Sequence, residues 1–176
     1  MKRTILVFGL ISGGLVGLFL IIAILINFKG GAWFGYTTMI IALSLIYVGV
    51  RNFRDKLNEG VISFGRALSI ALGITLIAST IYVLVWLVEY YFFMPDFMEK
   101  YAAQLSQQAR ASGLSPDALQ KKLAGIESVR IAYKNPVVVV LYTYAEIVPV
   151  GVIISLLTAL LLKRRRRPAV AGPAVA

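Results

Sequence analysis

Two glutamates, Glu89 and Glu146, are the acidic residues that lie inside long apolar stretches of this 176-residue chain. A charge within a bilayer costs roughly 2.5 kcal/mol or more unless it is protonated, paired or in contact with water, so such a residue marks a candidate site. At ~1.5 Å per residue, Glu89 lies ~34 Å from Arg66, at the boundary of a ~30 Å hydrocarbon core. Glu146 lies ~24 Å from Leu162 and is embedded. We therefore expect Glu89 to be a water-exposed interfacial acid.

Glu146 is followed by Pro149 in the segment "YAEIVPVG". Pro149 cannot donate a hydrogen bond to the carbonyl four residues earlier, so we expect a kink there. A free carbonyl beside a carboxylate could take up a proton or a hard cation. Tyr142, one turn away on the same face, could hydrogen-bond to Glu146, and Lys29 or Lys134 could supply a counter-charge. The alternative is a structural Glu–Tyr or Glu–Lys pair that holds the helices in register.

The composition excludes several kinds of chemistry. The chain has no cysteine and no histidine, which removes thiol and imidazole catalysis and the usual zinc and haem ligands. No nucleophile–base arrangement is visible either, so we predict no catalytic residue, no cofactor and no metal site. With 59% hydrophobic residues and a mean hydropathy of +0.82, the chain is a membrane protein. Its net charge of +10 comes from residues beside apolar segments, without a nucleic-acid-binding motif, and does not indicate nucleic acid as a partner.

Four apolar stretches are long enough to cross a bilayer, which predicts an all-α membrane protein with four transmembrane helices. The predicted spans are residues 4–27, 32–50, 67–93 and 137–162. They form a single four-helix membrane domain over residues 1–167, and a disordered tail follows over residues 168–176.

The basic residues predict the orientation of these spans. With four spans they concentrate at one side of the membrane, which the positive-inside rule makes cytoplasmic. Both termini are therefore predicted inside, in a bacterial inner membrane, and anionic lipids are potential partners on that side. The residues concerned are Lys2, Arg3, Arg51, Arg54, Lys56, Arg66 and Lys163 to Arg167.

The loop over residues 94–136 is predicted to lie on the opposite, extracytoplasmic side of the membrane. Its sequence predicts a helical hairpin. Asp96 and Glu99 have the spacing of a capping box, and Gly113 would end that helix. Ser115 and Pro116 are a cap and a first-turn proline for a second helix. Two apolar stripes suit a lid, a docking element or a packed connector. They are Phe97, Tyr101 and Leu105, and Leu119, Leu123 and Ile126.

Small residues four apart predict contact seams between the spans. Such residues let helix backbones approach closely in a membrane, either within one chain or in a homo-oligomer. Span three has Ala67, Ala71, Thr75 and Ser79 at this spacing. The corresponding residues of spans one and four are Gly9, Gly13 and Gly17, and Gly151, Ser155 and Ala159.

Several segments resemble a bacterial family of four-span membrane proteins, the domain of unknown function DUF4199. They are "YVGVRNFRDK", "GVISFGRAL", "MPDFMEKYA", "KNP" and "EIVPVGVIISLLTALLLKRR". The resemblance covers nearly the whole chain up to the basic run. It implies the fold and a location in the bacterial cytoplasmic membrane, and it assigns no activity or site residue.

These observations favour a nonenzymatic accessory or scaffold subunit that acts through helix packing and the outer hairpin, as a homo-oligomer or with a membrane partner. The alternative is a small oligomeric channel or transporter in which Glu146 is the proton or cation site.

Overall fold

A computed structural model describes residues 1–26 and 31–164, and these residues form helices and short turns. The helices are α1 (Lys2–Leu25), α2 (Gly31–Leu43), α3 (Leu45–Asn52), α4 (Phe64–Val88), α5 (Phe97–Ala111), α6 (Pro116–Ala132) and α7 (Pro136–Leu162). Two π-helical segments, Phe53–Leu57 and Glu89–Phe93, continue α3 and α4.

Four helical segments are long and apolar enough to cross a membrane, so the prediction of an all-helical chain with four spans is confirmed. They are Lys2–Leu25, Trp33–Leu57, Phe64–Phe93 and Pro136–Leu162. The second continues past its predicted end at Val50, because the charged residues that end the apolar stretch are good helix formers. The predicted end of span one, the candidate counter-charge Lys29 and the tail over residues 168–176 lie outside the described residues.

The second span contains an interruption at Ser44 that the sequence analysis did not predict. Its hydroxyl donates a hydrogen bond to the carbonyl of Ile41 at 2.6 Å, and the N–H of Tyr47 bonds to the carbonyl of Ser44 at 3.0 Å. Side-chain bonds of this kind to the preceding turn often bend helices. They divide the span into α2 and α3.

The glycine stripe of α1 packs against α4. A Cβ atom added at Gly13 would lie 2.8 Å from Cβ of Ile81, and one added at Gly9 would lie 2.7 Å from Cβ of Ile77. Gly17 faces Val85 less closely, since an added Cβ atom would lie 3.1 Å from its Cγ2 atom. The residue numbers of the contacting pairs increase together along the two helices, so α1 and α4 run parallel. This is the arrangement required of the first and third spans when consecutive spans cross the membrane in alternating directions.

The α4 helix is central, because its opposite side packs on α7. Thr75 of α4 contacts Gly151, whereas Thr80 is hydrogen-bonded to Tyr144 at 3.0 Å, so these two helices run antiparallel. The small residues of this seam are buried. They are Ala67, Ala71, Thr75 and Ser79 on α4, and Gly151, Ser155 and Ala159 on α7.

At the end of the spans where the chain enters α4 and leaves α7, the two segments are joined by backbone hydrogen bonds. Ile62, just before α4, exchanges backbone hydrogen bonds of 3.0 and 2.8 Å with Arg164, just after α7. Ser63 caps α4, as expected from its type and position, by accepting a bond from the N–H of Arg66 at 3.4 Å.

At the opposite end, called the hairpin end below, α5 and α6 pack against each other. Gly113 ends α5 with φ +66°, and Ser115 caps α6 by accepting from the N–H of Ala118 at 3.4 Å. The capping box predicted for α5 is not formed: Asp96 is at the cap position, but its side chain makes no capping hydrogen bond. Glu99 is bonded to Arg130 of α6 instead.

Candidate functional site

Glu146 is an exposed residue on the side of the packed helices. Its hydrogen-bonding neighbour is the phenol of Tyr82, a buried residue of α4. This contact crosses the α4–α7 seam, and the hydrogen bond from Tyr142 stays a prediction. Pro149, one turn further along, is also exposed, and α7 continues through it without interruption. The kink expected at Pro149 stays a prediction.

Tyr142 instead takes part in an aromatic contact. Its side chain is 47% exposed, and its ring lies 5.5 Å from the ring of Tyr133, the residue that ends α6. Burial, reinforced by the negative charge of Glu146, raises the pKa of Tyr133 to about 12. The Tyr133 phenol is therefore neutral at physiological pH and keeps its proton available for hydrogen bonding.

Glu89 is buried, contrary to the expectation of a water-exposed acid. The side chain is 4% exposed, and neither carboxylate oxygen has a hydrogen-bond partner among the described residues. It begins the π-helical segment after α4. Distance along a helix predicts depth in a bilayer, but does not show which neighbouring helix covers a side chain. The location of Glu89 at the membrane boundary stays a prediction.

Glu89 lies beside an apolar groove between the hairpin ends of α1 and α4. The groove has a volume of about 390 Å³, within the range of small-molecule sites. Its walls are almost entirely aliphatic. They are formed by Ile21, Ile24 and Leu25 of α1, by Leu84, Val85 and Val88 of α4, and by Glu89 and Phe93.

Aromatic side chains attach the α5–α6 pair to the ends of the spans. The ring of Trp86 meets that of Phe97 edge to face at 5.0 Å, and the rings of Tyr90 and Tyr133 lie 5.9 Å apart. Met98 is buried in the same cluster. In the sequence, the spacing of Trp86 and Tyr90 by one helical turn was the available signal for this cluster.

Arg130 joins the two helices of the hairpin at their exposed side. Its guanidinium donates to Glu127 at 2.6 and 2.7 Å and to Glu99 at 2.7 and 2.8 Å. The bond from Arg130 lowers the pKa of Glu127. All three side chains are partly solvated, so the pairs position the helices more than they stabilise them.

In the centre of the spans, facing polar groups are bonded to one another. The hydroxyls of Thr75 and Ser155 lie 2.9 Å apart, and Thr75 also donates to the carbonyl of Gly151 at 3.3 Å. Over the described ranges, acidic side chains do not gather in threes as metal ligands would. The described residues therefore offer two acids in different surroundings: Glu146 is an exposed residue within α7, and Glu89 is buried near the hairpin end of α4.

Comparison with known sequences identifies the family of the chain. No curated protein and no solved structure shows significant similarity to the chain. The family model described as "Protein of unknown function (DUF4199)" matches residues 7–164. That range contains the glycine stripe of α1, the hairpin, both glutamates and nearly all of the four spans. The chain is thus a member of the DUF4199 family of membrane proteins.

Proposed function

We propose that this protein is a nonenzymatic accessory or scaffold subunit of a bacterial inner membrane, and that it works through the α5–α6 hairpin. The observation that carries the proposal is the contrast between the packing of the spans and that of the hairpin. In the spans, the glycines pack closely on neighbouring helices and the hydroxyls of Thr75 and Ser155 are bonded to each other, whereas α6 contains no fully buried residue.

The closed interior argues against transport through the centre of one chain. A path for ions needs polar groups that face an open space, but Thr75 and Ser155 face each other at hydrogen-bonding distance. The large side chains of Ile70, Ile74 and Ile147 fill the neighbouring volume and are fully buried. These residues act as packing, which is the role expected of a structural subunit.

The hairpin leaves apolar surface for a partner. Leu119, Leu123 and Ile126 share one face of α6 and are half-buried, so α5 covers this face incompletely. A well-held helix with a partly uncovered apolar face suits a contact with another membrane protein or a second copy of the chain. The ion pairs of Arg130 and the aromatic cluster hold that face at a defined angle to the spans.

The orientation we propose has both termini in the cytoplasm and the hairpin outside. The distribution of basic residues supports it, because Arg51, Arg66 and Lys163 lie at the end opposite the hairpin. Residues at this end also pair internally, since Arg54 donates to Asp55 at 2.6 Å. The unpaired excess of basic charge would contact anionic lipids.

A second function, an oligomeric proton or cation pathway, has one observation in its favour. Glu146 is exposed on the side of the helices, where a second copy could contribute to a shared polar path. It predicts proton or cation flux in liposomes that Glu146→Gln reduces. Equal flux through both proteins would remove Glu146 from any such role.

Photo-crosslinking in native membranes tests the main proposal. Lys121 and Lys122 are both exposed on α6, but Lys122 borders the half-buried apolar stripe and Lys121 is on the opposite side. A crosslinking residue at 122 should capture a protein, either a second copy or a partner, whereas one at 121 should capture little. Equal capture at both positions, or lipid adducts alone at 122, would rule out docking through this face.

A further inference from the structure

We infer that the groove between α1 and α4 binds a lipid with a primary ammonium head group, and that Glu89 is the residue that recognises the ammonium. The inference is independent of the docking role proposed for the hairpin. It rests on the coincidence of a buried carboxylate without a partner among the described residues and an apolar groove beside it.

The aliphatic walls of the groove favour a ligand with a hydrocarbon chain. Ile21, Ile24 and Leu84 present aliphatic surface along one side of the spans, where acyl chains surround the protein. The groove extends along α4 from Leu84 to Phe93, which is ~14 Å at 1.5 Å per residue. A hydrocarbon chain that enters from the bilayer fits such a site, whereas a hydrated solute would lose its water contacts.

Glu89 selects the head group. An ionised carboxylate without a partner in an apolar site is strongly destabilising, and a buried carboxylate is stabilised best by a cation that also donates hydrogen bonds. A primary ammonium has three N–H donors, whereas a trimethylammonium has none. A ligand that combines an ammonium with an acyl chain therefore satisfies both the carboxylate and the walls.

Binding requires a local rearrangement. Both carboxylate oxygens are covered in the arrangement described here, so Glu89 must rotate about its side-chain bonds to face the groove. Phe93 lines the groove and is 70% exposed, so its ring can move without disrupting the packed core. The depth expected for Glu89, at the edge of the hydrocarbon, is also the level at which lipid head groups lie.

Lipid retention measures this preference directly. The full chain is reconstituted in nanodiscs that contain phosphatidylglycerol with either phosphatidylethanolamine or phosphatidylcholine, and retained lipids are counted by native mass spectrometry after detergent extraction. The wild type should retain phosphatidylethanolamine about tenfold over phosphatidylcholine, as expected for one charge-assisted hydrogen bond. Glu89→Gln should lose the preference, and Glu146→Gln, which changes the exposed acid, should keep it.

A steric variant keeps the test decisive if Glu89→Gln does not fold. Leu84→Trp fills the groove without changing any charge and should also abolish retention, whereas Leu76→Trp, at an equally exposed position two turns away on α4, should not. Equal retention of the two lipids by the wild type would overturn the inference. A preference for phosphatidylethanolamine that appears in Lys29→Gln but not in the wild type would also overturn it. That result would show that Lys29 pairs with the Glu89 carboxylate in the wild type.

Discussion

Gly13 shows at the scale of one residue how the chain closes its own interior. A Cβ atom there would lie 2.8 Å from Cβ of Ile81, an atom close to the backbone that cannot rotate away. A Cβ atom added at Gly14, the next residue, would have no neighbouring atom within 4 Å. The two glycines have the same intrinsic cost in a helix, so the difference between them is entirely a matter of packing.

Gly13→Ala should destabilise the protein and Gly14→Ala should not. The added methyl at position 13 forces α1 away from α4 and should cost about 1–3 kcal/mol of unfolding free energy. At position 14 alanine should be neutral or stabilise by up to about 1 kcal/mol, because it is the better helix former. Unfolding in mixed micelles measures both. Equal stability of the two variants would show that the α1–α4 seam is not formed.

The residue scale is also where sequence reasoning was least complete. The spacing of Gly9, Gly13 and Gly17 predicted a close contact, because small residues on one helix face have few other uses in a membrane. The environments of Glu89 and Glu146 could not be predicted in the same way. Each depends on which neighbouring helix covers one side of a span, and that is decided by packing between residues far apart in the chain.

At the scale of elements, the hairpin is held by contacts between helices more than by its own caps. Arg130 links α6 to Glu99 of α5, and the aromatic cluster joins both to the ends of α4 and α7. The sequence predicted the start of α6 from Ser115 and Pro116, because the cap is a local signal. The link between Glu99 and Arg130 crosses 31 positions, and local patterns do not reveal it.

The α6 helix should loosen in acid through the pair that Arg130 makes with Glu127 in the same helix. Because the pKa of Glu127 is lowered in the folded chain, its stabilising contribution is complete above the unfolded carboxyl pKa of about 4.5 and is lost as pH falls through the lowered value. Hydrogen exchange of the α6 amides, corrected for intrinsic rates, should therefore become faster between about pH 6 and about pH 3. In Arg130→Gln this acid-dependent step should be largely absent.

Arg110→Gln is the matched control, because it removes the same charge from an exposed position on α5. It should keep the acid-dependent loosening of the wild type. If Arg130→Gln and Arg110→Gln respond to pH alike, the ion pair of Arg130 with Glu127 does not hold α6.

At the scale of the whole molecule, the parallel contact of α1 and α4 and the antiparallel contact of α4 and α7 fix how the spans alternate. Their directions follow from the four spans visible in the sequence, since consecutive spans alternate, whereas the choice of contact partners is decided by packing. The side of the membrane that each end faces depends on insertion, for which the basic residues are the available signal.

Single cysteines can test this orientation cleanly, because the natural chain has none. Gln108 is exposed on α5 of the hairpin, and Lys56 is exposed at the opposite end of the spans. In spheroplasts, Gln108→Cys should react with a membrane-impermeant maleimide, whereas Lys56→Cys should react only after permeabilisation. The reverse pattern of labelling would invert the proposed topology.

The mass of the particle extracted from native membranes in a mild detergent tests the central claim most directly, since an accessory or scaffold subunit works by contact with other chains. We predict a protein mass clearly above the 19.3 kDa of one chain, made up of further copies or of a stoichiometric partner, once bound detergent and lipid are subtracted. A protein mass of 19.3 kDa, with no other chain present, would contradict the account.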